Sequence, residues 1–391
     1  MADEPVRSLT ELLERSSARR FLRAAPPEDL GLAEHLAFPF LAIVGQEDMK
    51  LALLLTLINP LIGGVLLVGP RGTGKTTAVR SLVDLMPDVE RSRCTYGCLP
   101  EDVDSGGLDA VCPECALKYG AGEPLTYPDR VQLIEIPLNA RVEDVVGGID
   151  ERAAVHNRLR LSRGLLARAD MNLLYVDEVN LLADDIVDSI LDAAAQGIFH
   201  VQRGAVSATY RARFALVGSM NPEEGRLRPQ ILDRFGLRVV VRGLEKKQHR
   251  LEAYRRAVAF RTHPRAVVSD YAEVTETVRQ ELIEARQRLA STLLSAPAEA
   301  FGLRVIQELG LDSLRAEITL FESARAHAAA DSRTTATADD VRAVAPLALR
   351  LRRSAFMEDY LKSQAVEDRQ LVRLTRSPKR SPASGRRRRP D

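Results

Sequence analysis

Three short stretches of this sequence carry residue types able to handle a polyphosphate. The first is V-L-L-V-G-P-R-G-T-G-K-T-T, Val65–Thr77, in which apolar residues run into Gly69, a glycine-rich turn follows, and Lys75 and Thr76 open a stretch of helical composition. Strand, loop and helix in that order are what a phosphate-binding loop requires. Gly69, Gly72 and Gly74 let the backbone aim several N–H groups at one anion, and the helix N-terminus adds its positive end. The candidate nucleotide contacts are therefore Gly69, Pro70, Arg71, Gly72, Thr73, Gly74, Lys75, Thr76 and Thr77, with Lys75 on the outer phosphates and the Thr76 hydroxyl on Mg²⁺. An ordinary glycine-rich turn is the competing reading. Spacing, Lys, Thr and the flanking elements all favour the loop.

The second stretch, L-L-Y-V-D-E (Leu173–Glu178), is an apolar strand ending in two carboxylates. Asp177 at the strand tip is placed to hold Mg²⁺, and Glu178 to polarise the water that attacks the γ-phosphate. Such a pair is common by itself and gains meaning only beside the phosphate loop. The third stretch, Phe214–Val217, leads through Gly218-Ser219-Met220 to Asn221, whose amide can bond both the attacking water and the γ-phosphate.

A different chemistry is written between the first two stretches. Cys94-x-x-x-Cys98 and Cys112-Pro-Glu-Cys115 hold all four cysteines of the chain, with the spacing of a four-thiolate Zn²⁺ knuckle. Gly97, Pro100 and Pro113 supply tight turns. A redox-active pair, an iron–sulfur cluster and free thiols are the alternatives.

These residues need a scaffold. Strand candidates recur at Val65–Val68, Val131–Ile136, Leu173–Val176, Phe214–Val217 and Val239–Val241, separated by helical or irregular stretches, which predicts a parallel sheet with crossovers. After Gly243 helical spacing takes over, at Glu245–Ala259, Val274–Leu294, Ala298–Leu309, Leu314–Ala330 and Ala338–Phe356, with Thr337 and Asp340 spaced as a capping box. No strand is expected there. The fold class is α/β: a P-loop core with a parallel sheet flanked by helices, and a C-terminal all-helical lid. The expected divisions are an N-terminal arm (1–37), an α/β nucleotide-binding domain (38–243) with a Cys-rich insertion (94–115), a helical lid (244–360) and a basic, largely disordered tail (361–391) ending in Arg386–Arg389. In the arm, Leu9–Leu22 is an amphipathic candidate.

Composition narrows the function. The 391 residues carry a net charge of +1 and only 5% aromatics, which argues against a nucleic-acid partner. Leu51–Gly69 lacks charge and nearly matches a membrane span, but Asn59-Pro60 and Gly63-Gly64 break it into a helix ending near Ile58 and a buried strand. No membrane span is expected. Met1–Arg23 mixes charges and shows no signal-peptide core, so the expected location is cytoplasmic.

Taken together, the motifs resemble those of AAA+ ATPases, and their wording is similar to the motor (I) subunit family of magnesium chelatases. The matching strings are P-F-L-A-I-V-G-Q-E-D (Pro39–Asp48), G-P-R-G-T-G-K-T (Gly69–Thr76), L-Y-V-D-E-V-N-L-L (Leu174–Leu182) and S-M-N-P-E-E-G-R-L-R-P-Q-I-L-D-R-F-G-L (Ser219–Leu237), within residues 38–350. The resemblance implies ATP with Mg²⁺ as cofactors and Ile43 and Val44 beside the adenine. It implies Glu178, Asn221 and Arg234 as catalytic residues, Arg234 being offered to a neighbouring subunit's γ-phosphate, with Arg228 its nearby competitor. Leu311–Glu317 resembles the segment that folds the lid onto the nucleotide, which makes Arg315 its candidate. Two inserts fit the same group, Asn139–Val155 and a hairpin at Gly197–Ser207 turning at Arg203-Gly204, where His200 reads as a surface residue.

The implied assembly is a homo-oligomeric ring, a hexamer, working with a second AAA+ subunit bearing an integrin-like domain and a large porphyrin-binding subunit. The implied activity is ATP hydrolysis driving Mg²⁺ insertion into protoporphyrin. The cysteine knuckle departs from the minimal motor pattern, which keeps a cobalt-chelatase-type motor and a MoxR-like remodelling chaperone as alternatives.

Overall fold

The computed structural model describes residues 36–94, 96–148, 162–204, 206–225, 227–311 and 313–352. Leu9–Leu22, the end of the first insert and the basic tail lie outside them.

The chain enters through helix α1 (Glu47–Ile58), whose buried residues lie all round its circumference. A helix of that kind must be covered on every side. Here the sheet lies on one side and lid helices on the other, within one continuous apolar cluster. The charge-free stretch 51–69 is thus a core helix and a core strand, and no described helix is long and apolar enough to cross a membrane.

Strand β1 (Val65–Val68) is buried at every position and leads through the glycine loop into α2 (Lys75–Ser81). The antiparallel pair β2 (Val89–Ser92) and β3 (Thr126–Asp129) brackets the cysteine insertion, whose helices are α3 (Pro100–Gly106) and α4 (Pro113–Gly120). There follow β4 (Leu133–Glu135), α5 (Val142–Val146), α6 (Leu165–Arg168), β5 (Leu173–Val176) and α7 (Asp184–Gln196). The hairpin β6 (Ile198–Arg203) and β7 (Val206–Arg211) runs further than its sequence suggested, with Ile198 opposite Arg211. After β8 (Ala215–Met220), α8 (Pro229–Arg234) and β9 (Leu237–Val240) close the α/β part.

The sheet is parallel throughout, in the order β4-β5-β8-β1-β9. That order decides the function of the loops. Because β8 lies between β5 and β1, the carboxylates after β5, Asn221 after β8 and the glycine loop after β1 all emerge side by side at the C-terminal edge, where α/β proteins place ligands.

The lid is α9 (Lys247–Thr262), α10 (Pro264–Leu289), α11 (Ala296–Glu308), α12 (Leu314–Ala330) and α13 (Ala338–Leu349). The capping box forms as its spacing predicts, with the Thr337 N–H donating to Asp340 Oδ2 at 2.7 Å. One expectation fails: Leu293–Leu294 and Thr335–Ala336 form a short parallel pair, so the lid is not purely helical. Two residues per strand leave no periodicity to detect.

Candidate nucleotide site

The glycine loop supplies the conformations that its sequence requires. Gly72 and Gly74 sit in the left-handed region at φ 76° and 87°, and a Cβ added to either would meet nothing within 4 Å, so this side of the loop is open to a ligand. Gly69 is different, because a Cβ there would run into the Val241 carbonyl at 2.2 Å. Lys75 is folded back along the loop, its Nζ donating to the Gly69 and Pro70 carbonyls at 2.7 and 2.8 Å. Burial pushes its pKa down, while the nearby Asp177, Glu178 and Glu224 carboxylates oppose that shift.

Thr76 and Asp177 are joined through a residue that the sequence reading passed over. The Tyr175 hydroxyl lies 3.2 Å from Thr76 Oγ1 and donates to Asp177 Oδ1 at 2.8 Å. Ser219 donates to the same Asp177 oxygen and accepts the Glu178 N–H at 3.2 Å. Tyr175 is buried and its pKa is pushed up, so the hydroxyl keeps its proton and acts as a donor. A hard-cation donor pair is thereby aligned between the loop helix and the β5 tip.

Glu178 holds a left-handed backbone at φ 50°, an uncommon conformation for a residue with a side chain. Its carboxylate meets the Arg71 guanidinium at 3.3 Å, and Arg71 also reaches Glu224 at 2.6 Å. Asn221, almost fully buried, donates to Glu224 Oε1 at 3.0 Å. Arg71, Glu178, Glu224 and Asn221 are therefore one polar cluster spanning three loops of the sheet edge.

Beside the loop lies a largely apolar cleft of about 760 Å³, lined by Phe38, Ile43, Val44, Gln46 and Thr77 among others. Its far wall is α9 of the lid, which presents Arg250, Ala253, Ala257, Phe260 and Arg261. An apolar slot of this size, open at one end to backbone N–H groups, suits a purine nucleotide. The wall is pinned from behind: Lys50 Nζ donates to the Ile43 carbonyl at 2.5 Å and Arg256 to the Ala42 carbonyl at 3.1 Å. Burial brings the Lys50 pKa down to about 8, although Glu47 opposes it.

A family model for the MCM P-loop domain matches residues 146–249, and one for an AAA lid domain matches 304–369. The chain is 43% identical over 334 residues to a magnesium-chelatase subunit ChlI homolog of Methanocaldococcus jannaschii, covering 84% of this chain and 90% of that one. The chain belongs to the magnesium-chelatase I-subunit family. A second member, the magnesium-chelatase 38 kDa subunit of Rhodobacter capsulatus, is 43% identical over 335 residues, covering 85% of this chain and 93% of the other. The crystal structure of a putative ATPase from Cytophaga hutchinsonii shares the fold at 18% identity and a TM-score of 0.53, covering 85% and 89% of the two chains.

Two arginines of this I-subunit chain do not reach its own cleft. Arg234 pairs with Asp188 at 3.3 Å and Asp192 at 3.0 Å on α7. Arg228 pairs with Asp184 at 2.8 Å and Asp188 at 3.6 Å. Arg234 ends α8 just before β9, whose first residue Leu237 is level with Val65, whereas the glycine loop follows Val68. The two therefore lie at opposite edges of the sheet, a strand length of roughly 13 Å apart.

Arg315 requires a correction. It was expected over the chain's own nucleotide, but its Nη1 lies 3.5 Å from Asp233, in a groove that also contains Arg234. The reason is packing. Helix α12 lies on α1 and on the turn Pro60–Ile62, beside the N-terminal ends of the strands, so its first turn cannot approach the glycine loop.

The cysteines do come together. The four Sγ atoms of Cys94, Cys98, Cys112 and Cys115 lie within 4.8 Å of one another. Burial alone would raise the Cys94 thiol, but the Cys98 N–H and the Ser92 hydroxyl donate to its sulfur and bring it down to about 6. Cys98, where burial dominates, is raised to about 11.

Among the residues that sequence reasoning missed, α9 left the clearest signal. Positions 250, 253, 257, 260 and 261 share one helix face, with two alanines making room in the middle. Tyr175 left a weaker one, as the single hydroxyl in an otherwise aliphatic strand. His200 is exposed and bonds Thr209 across the hairpin at 2.7 Å, in keeping with its plain reading.

Proposed function

We propose that this chain is the ATP-hydrolysing motor of a chelatase complex that inserts Mg²⁺ into protoporphyrin. One observation carries the reading: the glycine loop, Asp177, Glu178 and Asn221 converge on one sheet edge beside an apolar cleft, in a chain of the magnesium-chelatase I-subunit family.

Each residue then has a part. Ile43 and Val44 border the adenine, and residues Gly69–Thr77 cradle the phosphates, with Lys75 turning from its carbonyl partners toward them. Thr76 and Asp177 would hold Mg²⁺, which supplies neutralising charge to the phosphate oxygens. Tyr175 and Ser219 orient Asp177. Glu178 accepts the proton of the attacking water, and Asn221 positions that water while linking it through Glu224 to Arg71.

Arg234 completes the site of a neighbouring subunit in a homo-oligomeric ring, a hexamer by family resemblance. Its place at the edge opposite its own phosphate loop supports that assignment, and Arg315 belongs to the same face. The expected partners are a second AAA+ subunit with an integrin-like domain and a large porphyrin-binding subunit. Their support is that relatives such as those of M. jannaschii and R. capsulatus are named as subunits of magnesium chelatase. The four thiols form a Zn²⁺ site. Four protein thiolates leave no open coordination position, so its part is structural. A cytoplasmic location remains the expectation from sequence.

The test is reconstitution. With the two partner subunits, ATP and protoporphyrin, Mg²⁺ insertion should require this chain. Insertion at the same rate without it, or no insertion despite its ATP turnover in the full mixture, would overturn the proposal.

A further inference from the structure

We propose that the four cysteines, once they hold Zn²⁺, turn residues 94–125 into a brace that fixes the root of the β6–β7 hairpin through Asp102–Arg211 and Glu101–Arg213. The inference rests on the zinc reading of these thiols given above.

The insertion cannot fold on apolar burial alone. Its whole cluster consists of buried Cys98, Val111, Cys115 and Leu125, with Cys94, Val103, Cys112 and Ala116 packed against them. Segments of about 30 residues usually need a metal or disulfides to hold one structure. Half of this cluster is cysteine. The sulfurs lie within 4.8 Å of one another, and tetrahedral Zn²⁺ with bonds of about 2.3 Å would set them about 3.8 Å apart. Backbone N–H groups already support the sulfurs, since Cys98 N donates to Cys94 Sγ at 3.4 Å and Cys112 N to Cys98 Sγ at 3.3 Å. Outer hydrogen bonds of that kind stabilise the charge of metal-bound thiolates. The Cys94–Cys98 turn is also locked from outside: a Cβ on Gly97, at φ 76°, would lie 2.8 Å from the Arg163 guanidinium.

Helix α3 starts two residues after Cys98 and carries both acids of the brace. Asp102 caps its own helix by accepting the Leu99 N–H at 2.8 Å, and it also accepts from both terminal nitrogens of Arg211. Glu101 meets Arg213 at 3.2 Å, and Arg213 is held from the other side by Asp170, also at 3.2 Å. The Arg211 and Asp102 side chains are 28% and 22% exposed, so the pair is partly shielded from solvent and from salt.

These contacts fall where they matter. Arg211 ends β7, and four residues later the chain enters β8, which carries Ser219 and leads to Asn221. The hairpin packs on the domain core through Phe199, Val201 and Tyr210, and a two-stranded element held on one face is marginal enough that a second grip at its root adds order. Without a folded knuckle the helix carrying Asp102 has no fixed position, and Arg211 loses its partner.

The experiment uses the full chain, purified under reducing conditions, with zinc measured by mass spectrometry and hairpin order by hydrogen exchange of peptides covering β6 and β7. Wild type and Arg211→Met should each hold one Zn²⁺, and Cys112→Ser/Cys115→Ser none. Hairpin exchange should rise at least ~10-fold in the cysteine variant and ~3- to 10-fold in Arg211→Met, with β1 and β5 unchanged in both. Zinc missing from wild type, or iron and sulfide in its place, would overturn the zinc reading. Zinc present, with hairpin exchange unchanged in both variants, would overturn the brace and leave the zinc reading standing.

Discussion

The nucleotide cleft and the cysteine insertion are adjacent in the chain, yet they hold their functional atoms in opposite ways. In the cleft, the buried strands β1, β5 and β8 fix the loop positions by their order, and the polar groups that do chemistry hang from that frame. In the insertion, the polarisable side chains are themselves the frame, because no other core is available. A site built on a packed sheet tolerates loss of one of its side chains, whereas a site whose ligands are its core does not. Substitutions in the cleft should therefore change rates in a folded protein. Substitutions of the cysteines should change local order first.

Arg234→Ala tests whether the cleft is complete within one subunit, and it carries the largest expected effect. ATP affinity of the isolated chain should be unchanged, while turnover in the assembled state should fall by about 10³-fold or more. Equal turnover in assembled wild type and variant would return the site to a single chain. Mixing Arg234→Ala with Glu178→Gln subunits should restore activity at the interfaces where a Glu178→Gln subunit offers its intact Arg234 to the site of an Arg234→Ala subunit, while the opposite pairing carries both defects and stays inactive.

Lys75→Ala should weaken ATP binding roughly 100-fold or more, because a cation facing the phosphates is lost, with the melting temperature of the apo chain nearly unchanged. If the apo chain unfolds instead, then Lys75, like the cysteines, belongs to the frame and the contrast between the regions breaks.

A smaller effect is expected from Tyr175→Phe, which keeps the packing and removes only the hydroxyl between Thr76 and Asp177. The Mg²⁺ concentration needed for half-maximal turnover should rise by about 10-fold, in line with loss of an outer partner of a metal ligand. An unaltered Mg²⁺ dependence would leave Tyr175 as a core residue only.

The smallest effect concerns the cleft wall. Burial holds the Lys50 pKa near 8, below the 10.5 of an exposed lysine. Between those values the unfolded chain binds more protons than the folded one, so this group adds stability as pH rises through the window, at most about 1.4 kcal/mol per pH unit. Subtracting the pH profile of Lys50→Met from that of wild type isolates it, since other groups cancel. A difference that stays flat from pH 8 to 10 would contradict the buried charge.

How much could be read from sequence followed the same divide. Val65–Val68 and Leu173–Val176 form the strands expected residue for residue, because both are apolar runs bounded by breakers and buried on both faces. Leu314–Ala330 likewise matches its helix. The edge strand narrowed from Val131–Ile136 to Leu133–Glu135, since it pairs only with β5. Helix α10 begins at Pro264 rather than Val274, a start that proline at the first helical position signals but hydrophobic spacing does not. Arg315 was misplaced because no local pattern records how the lid packs on α1. The Tyr175 bridge to Thr76, 99 residues away, was missed for the same reason, and the α9 face, though regular in sequence, records nothing of the glycine loop it stands beside. The four cysteines were legible from their spacing, whereas the grip of Asp102 on Arg211, 109 residues away, was not.

The most direct measurement is made on Glu178→Gln in the reconstituted chelatase, following ATP binding, ATP turnover and Mg²⁺ insertion in one preparation. ATP should bind as in wild type, turnover should fall by about 10²- to 10⁴-fold, and Mg²⁺ insertion should fall with it. Wild-type turnover would remove Glu178 as the base. Insertion that continues while turnover has stopped would contradict the claim that this cleft drives it.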